Sequence, residues 1–153
     1  MQQPLLAFLD IETTGFSAKR GDKILEIAIV TTDLQGNILD KYESLINPLR
    51  EVTGVEIHRV TAEMVKNAPT ISDVLDDLLY HLQGKVLVGH NISFDLKILN
   101  FELSKQTEKQ LDCQGICTLS MSRKIIPDLP VRRLDAFCDF FDIQLGDAHA
   151  AKF

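Results

Sequence analysis

The sequence predicts an α/β fold built on a mixed sheet, and three observations carry that reading. Three strand-like segments come first, an amphipathic helix and a further apolar strand follow, and the remainder reads as helix. The early strands would form a meander, and the later strand a parallel neighbour.

Taken in order, Leu5 to Ile11 is a short apolar strand that becomes acidic at its end. Ile24 to Thr32 is a β-branched run and Ile38 to Ile46 another, joined through Asp33-Leu-Gln-Gly-Asn37. Gly-Asn between two such runs predicts an antiparallel hairpin. After Pro48 the pattern turns helical, with Thr61 as an N-cap and Pro69 closing the segment. Ile71 to Leu82 places Ile71, Val74, Leu75, Leu78, Leu79 and Leu82 at helical spacing, with Gly84 as its stop. Lys85 to Gly89 is a buried strand. Turn and cap residues Asn91 and Ser93 lead into a second amphipathic helix, Phe94 to Leu103. Leu119 to Ile126 and Leu134 to Phe141 are two more helices, separated by Pro127-Asp-Leu-Pro130.

A chain of 153 residues, 45% hydrophobic, can bury one sizeable core, so 1–153 is expected to be a single domain. Strong disorder is excluded by that apolar content. Charges interrupt every apolar run before it could cross a bilayer. The opening Met-Gln-Gln-Pro lacks the basic region and cleavage pattern of a secretory signal. Cys113, Cys117 and Cys138 form the sparse, odd set expected of thiols in a reducing cytoplasm. With 16 Lys and Arg against 22 Asp and Glu, the net charge of −6 argues against a protein held on nucleic acid by charge alone. It leaves room for a nucleic-acid enzyme whose carboxylates hold metal ions.

Asp10-Ile-Glu-Thr-Thr-Gly15 carries the most information. Side chains alternate along a strand, so Asp10 and Glu12 project from one side at the end of an apolar segment. Burial raises the pKa of such acids and costs free energy, and a divalent cation is the simplest reason to keep two like charges so close. Oxygen ligands of this kind suit Mg²⁺ or Mn²⁺ rather than zinc. Thr13-Thr14-Gly15 adds a tight turn whose backbone N–H groups are expected to be open to a phosphate. Gly89-His-Asn-Ile-Ser-Phe-Asp95 follows the later strand and puts Asp95 in the first turn of a helix. Neighbouring parallel strands would bring Asp10, Glu12 and Asp95 to one sheet edge.

These motifs resemble those of the DEDDh 3′→5′ exonucleases of the ribonuclease H-like superfamily, the group that includes proofreading subunits of bacterial DNA polymerase III. Gly54-Val-Glu-Ile-His-Arg-Val-Thr-Ala-Glu-Met64 resembles the segment between the first two motifs, and Leu134-Asp-Ala-Phe-Cys138 with Asp147-Ala-His149 the approach to the third. The resemblance implies a ribonuclease H-like sheet and a two-metal exonuclease acting on the 3′ end of single-stranded DNA, with a DNA polymerase subunit as partner. It implies that Asp10 bridges two ions, that Glu12 holds the one carrying the attacking water, and that Asp95 helps hold the other. His149 would be the general base. Thr13, Gly15 and Phe16 would line the 3′-terminal nucleotide, with His58, Asn91 and Phe94 nearby.

The chain departs from the family pattern in two places. The third motif runs His-x4-Asp, which puts its acid at position 154, after Phe153, with the closing helix beyond it, so the expectation is either that the intact protein continues past this chain or that it is impaired. Asp147 to Phe153 is therefore expected to be displaced, with His149 away from the acids and cation binding weak. Arg59 stands where the family often has Gly. A non-catalytic exonuclease-like module and an oligoribonuclease-type RNA exonuclease are the competing readings. Cys113-x3-Cys117 lacks the further ligands of a zinc site. Arg123-Lys124 and Arg132-Arg133 read as solvated helix ends rather than a nucleic-acid groove.

Overall fold

The structure, a computed structural model, describes residues 3–108, 110–111 and 115–144. Five strands form one sheet: β1 (Leu6–Thr13), β2 (Ile24–Thr32), β3 (Ile38–Leu45), β4 (Val86–Gly89) and β5 (Gly115–Cys117), in the order β3-β2-β1-β4-β5. β1 to β3 are antiparallel neighbours, whereas β4 runs parallel to β1 and β5 parallel to β4. The sheet is mixed, with the meander and the parallel neighbour that the sequence predicts.

The β2–β3 turn closes as its chemistry demands. Asp33 Oδ1 accepts from the N–H groups of Gln35 and Asn37, and Gly36 takes a positive φ of 86°. β5 was not anticipated: at three residues, including a glycine, it carries no periodicity of its own and exists through pairing with β4.

Six α-helices and one 3-10 turn (Ala18–Arg20) complete the described chain: α1 (Val55–His58), α2 (Ala62–Val65), α3 (Leu75–Leu82), α4 (Ile92–Leu103), α5 (Thr118–Ile125) and α6 (Leu134–Phe140). Ala7, Leu9, Ile11, Ile27 and Ile29 of the sheet pack against Leu78 and Leu82 of α3 and Ile98, Leu99 and Leu103 of α4. A smaller cluster joins Leu25 to Val60 and Val65 beside α2.

Among the helices, three boundaries depart from the sequence reading by two residues or more, and β1 runs on to Thr13. α3 starts at Leu75 rather than Ile71, because Asp73 accepts from both the N–H and the hydroxyl of Thr70 and closes a turn there. Thr61 does cap α2, its hydroxyl oxygen accepting from Met64 N–H, but that helix ends at Val65. α4 begins two residues early, at Ile92, with Asn91 in the left-handed region at φ 67° and no side-chain cap. Asn91 is thus a turn residue, not a side-chain cap. Arg59 also sits in the left-handed region, at φ 60°, the conformation for which glycine is the natural choice. The segment from Asp147 to Phe153, including His149, lies outside the described residues.

Candidate active site

Alternation along β1 sends Ala7, Leu9 and Ile11 into the core and Phe8, Asp10 and Glu12 to the opposite face. The antiparallel register sets Ala28 opposite Asp10 and Glu26 opposite Glu12, so all four share that face. Parallel pairing of β1 with β4 brings the start of α4 to the same edge, and with it Asp95.

The electrostatics follow from this placement. Asp95 is buried, and its carboxyl is pushed up to about 7, first by desolvation and then by the charges of Asp10 and Glu12. Hydrogen bonds from its own N–H and that of Ile11 pull the other way, which puts this carboxyl against the β1 backbone. Glu12 is raised to about 7 by burial, Asp10 and Glu26. Asp10 is raised by burial and then by Glu26. The Asp10 residue reaches solvent over part of its surface, yet its carboxyl is crowded by protein atoms, as at the rim of a concave site. Among the described residues no three acid, histidine or cysteine side chains close on one point at ligand spacing. The expected convergence is therefore mutual proximity and not a finished cage, since three like charges repel. The donor set nonetheless fits a hard divalent cation: it is all oxygen, and each charge is made costly by its neighbours.

Glu26 is the acid that sequence reading missed. It is 1% exposed and raises both Asp10 and Glu12. Its signal was a lone charge in the middle of an otherwise apolar run, Ile24-Leu-Glu-Ile-Ala-Ile-Val30.

The turn after the acids is built differently from expectation. Thr14 N–H donates to Lys23 O and Ser17 N–H to the Asp22 carboxylate, so these two groups are not open to a phosphate. Thr13 Oγ1 donates to Gly15 O at 2.7 Å, holding the turn tight. Phe16 stands 81% exposed beyond it, its ring 6.1 Å from that of Phe94 at the start of α4. Those two rings, expected near the terminal nucleotide, are brought together.

His58 is not. It is 3% exposed, its Nδ1 accepts from Val60 N–H, and Nε2 therefore carries the hydrogen that goes to Thr53 O at 2.8 Å. Thr53 Oγ1 in turn donates to Thr14 O, so His58 reaches the site only through this relay. Its place in the interior follows from the α1 turn, which folds its ring inward against Gly54.

Asn91 is exposed at the mouth of α4. Its N–H and that of Ile92 go to the Cys117 sulfur: burial would raise this thiol, but these bonds and those from Ser120 bring it down to about 7. Cys117 thus ties β5 to the entry of α4. Cys117 and Cys138 are free thiols, and Cys113 lies outside the described residues. A cleft of about 290 Å³ opens beside Asp10, walled by Phe8, Val88, His90, Thr118 and Leu134.

The mixed sheet has a ribonuclease H-like fold, and the chain belongs to the exonuclease family. The family model described as exonuclease (RNase_T) matches residues 7–152. Over 154 residues the chain is 34% identical to the PolC-type DNA polymerase III of Bacillus subtilis (strain 168), a match that covers 99% of this chain and 11% of that protein. It is 33% identical over 147 residues to the DNA polymerase III subunit epsilon of Treponema pallidum (strain Nichols), covering 94% of this chain and 67% of the relative. The chain thus spans about a tenth of the length of the PolC-type polymerases it matches. Product-bound exonuclease I superposes with a TM-score of 0.83 at 19% identity, over 98% of this chain and 41% of the other. That likeness fixes the shared fold.

Proposed function

We propose that this chain is the catalytic domain of a metal-dependent 3′→5′ exonuclease, acting on the 3′ end of single-stranded DNA in replication proofreading or repair. The observation that carries the reading is the gathering of Asp10, Glu12 and Asp95 at one sheet edge, in a chain of the exonuclease family.

Asp10, Glu12 and Asp95 would hold Mg²⁺ or Mn²⁺, two ions in the complete site. Bound there, such ions supply positive charge to the attacking and leaving oxygens of an in-line displacement. Phe16 and Phe94 stack the terminal base without reading sequence, which suits removal of any nucleotide. Thr13, Gly15 and Asn91 border that space. His149 accepts the proton of the attacking water, the role the family resemblance implies for it. Work in the cytoplasm beside a DNA polymerase subunit accords with relatives named as DNA polymerase III. No described helix is long and apolar enough to cross a membrane.

The test is digestion of a 5′-labelled single strand with Mn²⁺ or Mg²⁺. Slow stepwise shortening from the 3′ end, quickened when the chain is extended by Asp at 154 and a helix and stopped by EDTA and by Asp10→Asn, is the expected result. Binding of the strand without any cleavage would leave the non-catalytic module instead. Short RNA consumed much faster than DNA of the same length would overturn the DNA assignment.

A further inference from the structure

The acids and the two aromatic rings account for the chemistry and the grip on a base, but not for how Phe16 is kept in place. Phe16 is 81% exposed, so burial does not hold it. The loop that carries it runs from Thr14 to Gly21, is closed at its base by Thr14 N–H to Lys23 O and Asp22 N–H to Ser17 O, and gathers its side-chain bonds on Asp22. Its carboxylate accepts from Ser17 N–H at 2.9 Å, from the Thr14 hydroxyl at 3.4 Å and from Arg50 Nη1 at 3.3 Å. Arg50 also donates to Gly21 O, at the far end of the same loop. Thr53 Oγ1 donates to Thr14 O at the near end, at 2.7 Å.

Gly15 shows how tightly the carboxylate is seated. A Cβ on this residue would lie 2.6 Å from Asp22 Oδ2 and 2.7 Å from Oδ1, well inside contact distance. Gly15 does not have the positive φ of Gly21 or Gly36. Its smallness serves the approach of Asp22, not a left-handed turn.

We propose that Asp22 is a positioning residue: seated against Gly15 and paired with Arg50, it latches the loop so that Phe16 faces Phe94, and thereby sets affinity for the terminal base of a 3′ end. It touches no reacting atom. The ligand in this proposal rests on the exonuclease reading, whereas the latch can be observed without substrate.

The experiment uses the full chain in two measurements. The first is ¹⁹F NMR of protein labelled with 4-fluorophenylalanine, with the Phe16 signal assigned by Phe16→Leu. The second is steady-state digestion of single-stranded DNA, with folding of each variant checked by its thermal melt. Asp22→Ala is expected to shift the Phe16 signal and to raise KM about tenfold with kcat within about threefold, the pattern of lost binding. Gly15→Ala should reproduce it by displacing the carboxylate. The double variant should be no worse than Asp22→Ala, because the carboxylate that the added methyl group would meet is gone. If Asp22→Ala does not fold, Arg50→Gln at the surface carries the test, with a smaller shift and a smaller rise in KM.

An unchanged Phe16 signal in the folded variants overturns the latch, as does an unchanged KM, or losses that multiply in the double variant. Should the wild-type chain release nothing from 3′ ends, the exonuclease reading fails separately, and the Phe16 signal alone decides whether Asp22 is a latch.

Discussion

On one face of β1, Ala7, Leu9 and Ile11 are 0%, 4% and 6% exposed and pack beneath α3 and α4. On the other, Phe8 and Asp10 line the cleft, and Glu12 shares their face with Glu26 across from it. Both faces belong to the same eight residues, and each withdraws side chains from water. The apolar face gains by it, while the acidic face pays through Glu12, whose proton is held up to about pH 7, and through Asp10, raised first by burial and then by Glu26. One strand thus serves stability with one half of its residues and chemistry with the other. The acidic half is tolerable only because the apolar half is well packed.

Substitutions on the two faces should separate these roles. The largest effect belongs to Asp10→Asn, expected to lower exonuclease activity on the order of 10³-fold or more while the melting temperature holds or rises. A fall in stability matching the loss of activity would show that Asp10 is structural. Next comes Leu9→Ala on the core face, expected to cost about 2–5 kcal/mol in denaturant unfolding. Any activity left in the folded fraction should keep its wild-type KM.

The pH dependence sharpens the contrast further. Glu12 and Asp95 have folded-state values near 7, above their ordinary 4.5 and 3.8. The folded state therefore binds protons more tightly than the unfolded one. Their contribution to stability is fullest below about pH 4 and is lost as pH rises through about 7. In EDTA the protein should be less stable at pH 8 than at pH 5 by a few kcal/mol, most of it from the buried Asp95, because the partly exposed Glu12 is screened. Asp95→Asn should flatten that slope, and Mn²⁺ should raise the melting temperature most at the higher pH. A flat profile from pH 5 to 8 would mean that these acids do not feel one another.

The smallest effect tests the apolar side. Thr31 on β2 pairs with Ala7 of that face, and its hydroxyl is buried without a hydrogen-bond partner. Thr31→Val should stabilise by about 1 kcal/mol, read from the shift of the unfolding midpoint. Destabilisation would reveal a bond that the hydroxyl makes.

Much of this was legible along the chain. The ends of β2, the β2–β3 turn and the acids at the end of β1 follow from rules that act over a few residues: alternation of faces, turn chemistry at Asp33 to Asn37, and a run of β-branched residues. Even Glu26 announced itself as a charge where none belonged. The amino-acid order therefore determined the mixed sheet, its β1–β3 meander with β4 as parallel neighbour, and the presence of acids at its edge, but not β5.

What it could not determine are relations between side chains that only the path of the chain brings together. Gly15 reads as a turn glycine, and only the folded loop shows that it makes room for Asp22. Arg50 reaches that carboxylate across 28 residues, and Glu26 faces Glu12 through the register of two strands. His58 looks like a site residue in its motif but lies inside, its ring nitrogens taken by Thr53 and Val60. Periodicity reports which face a residue shares with its near neighbours. Packing decides which distant residue stands opposite, and for charges and hydrogen bonds, whose strength depends on distance and burial, that decides the function.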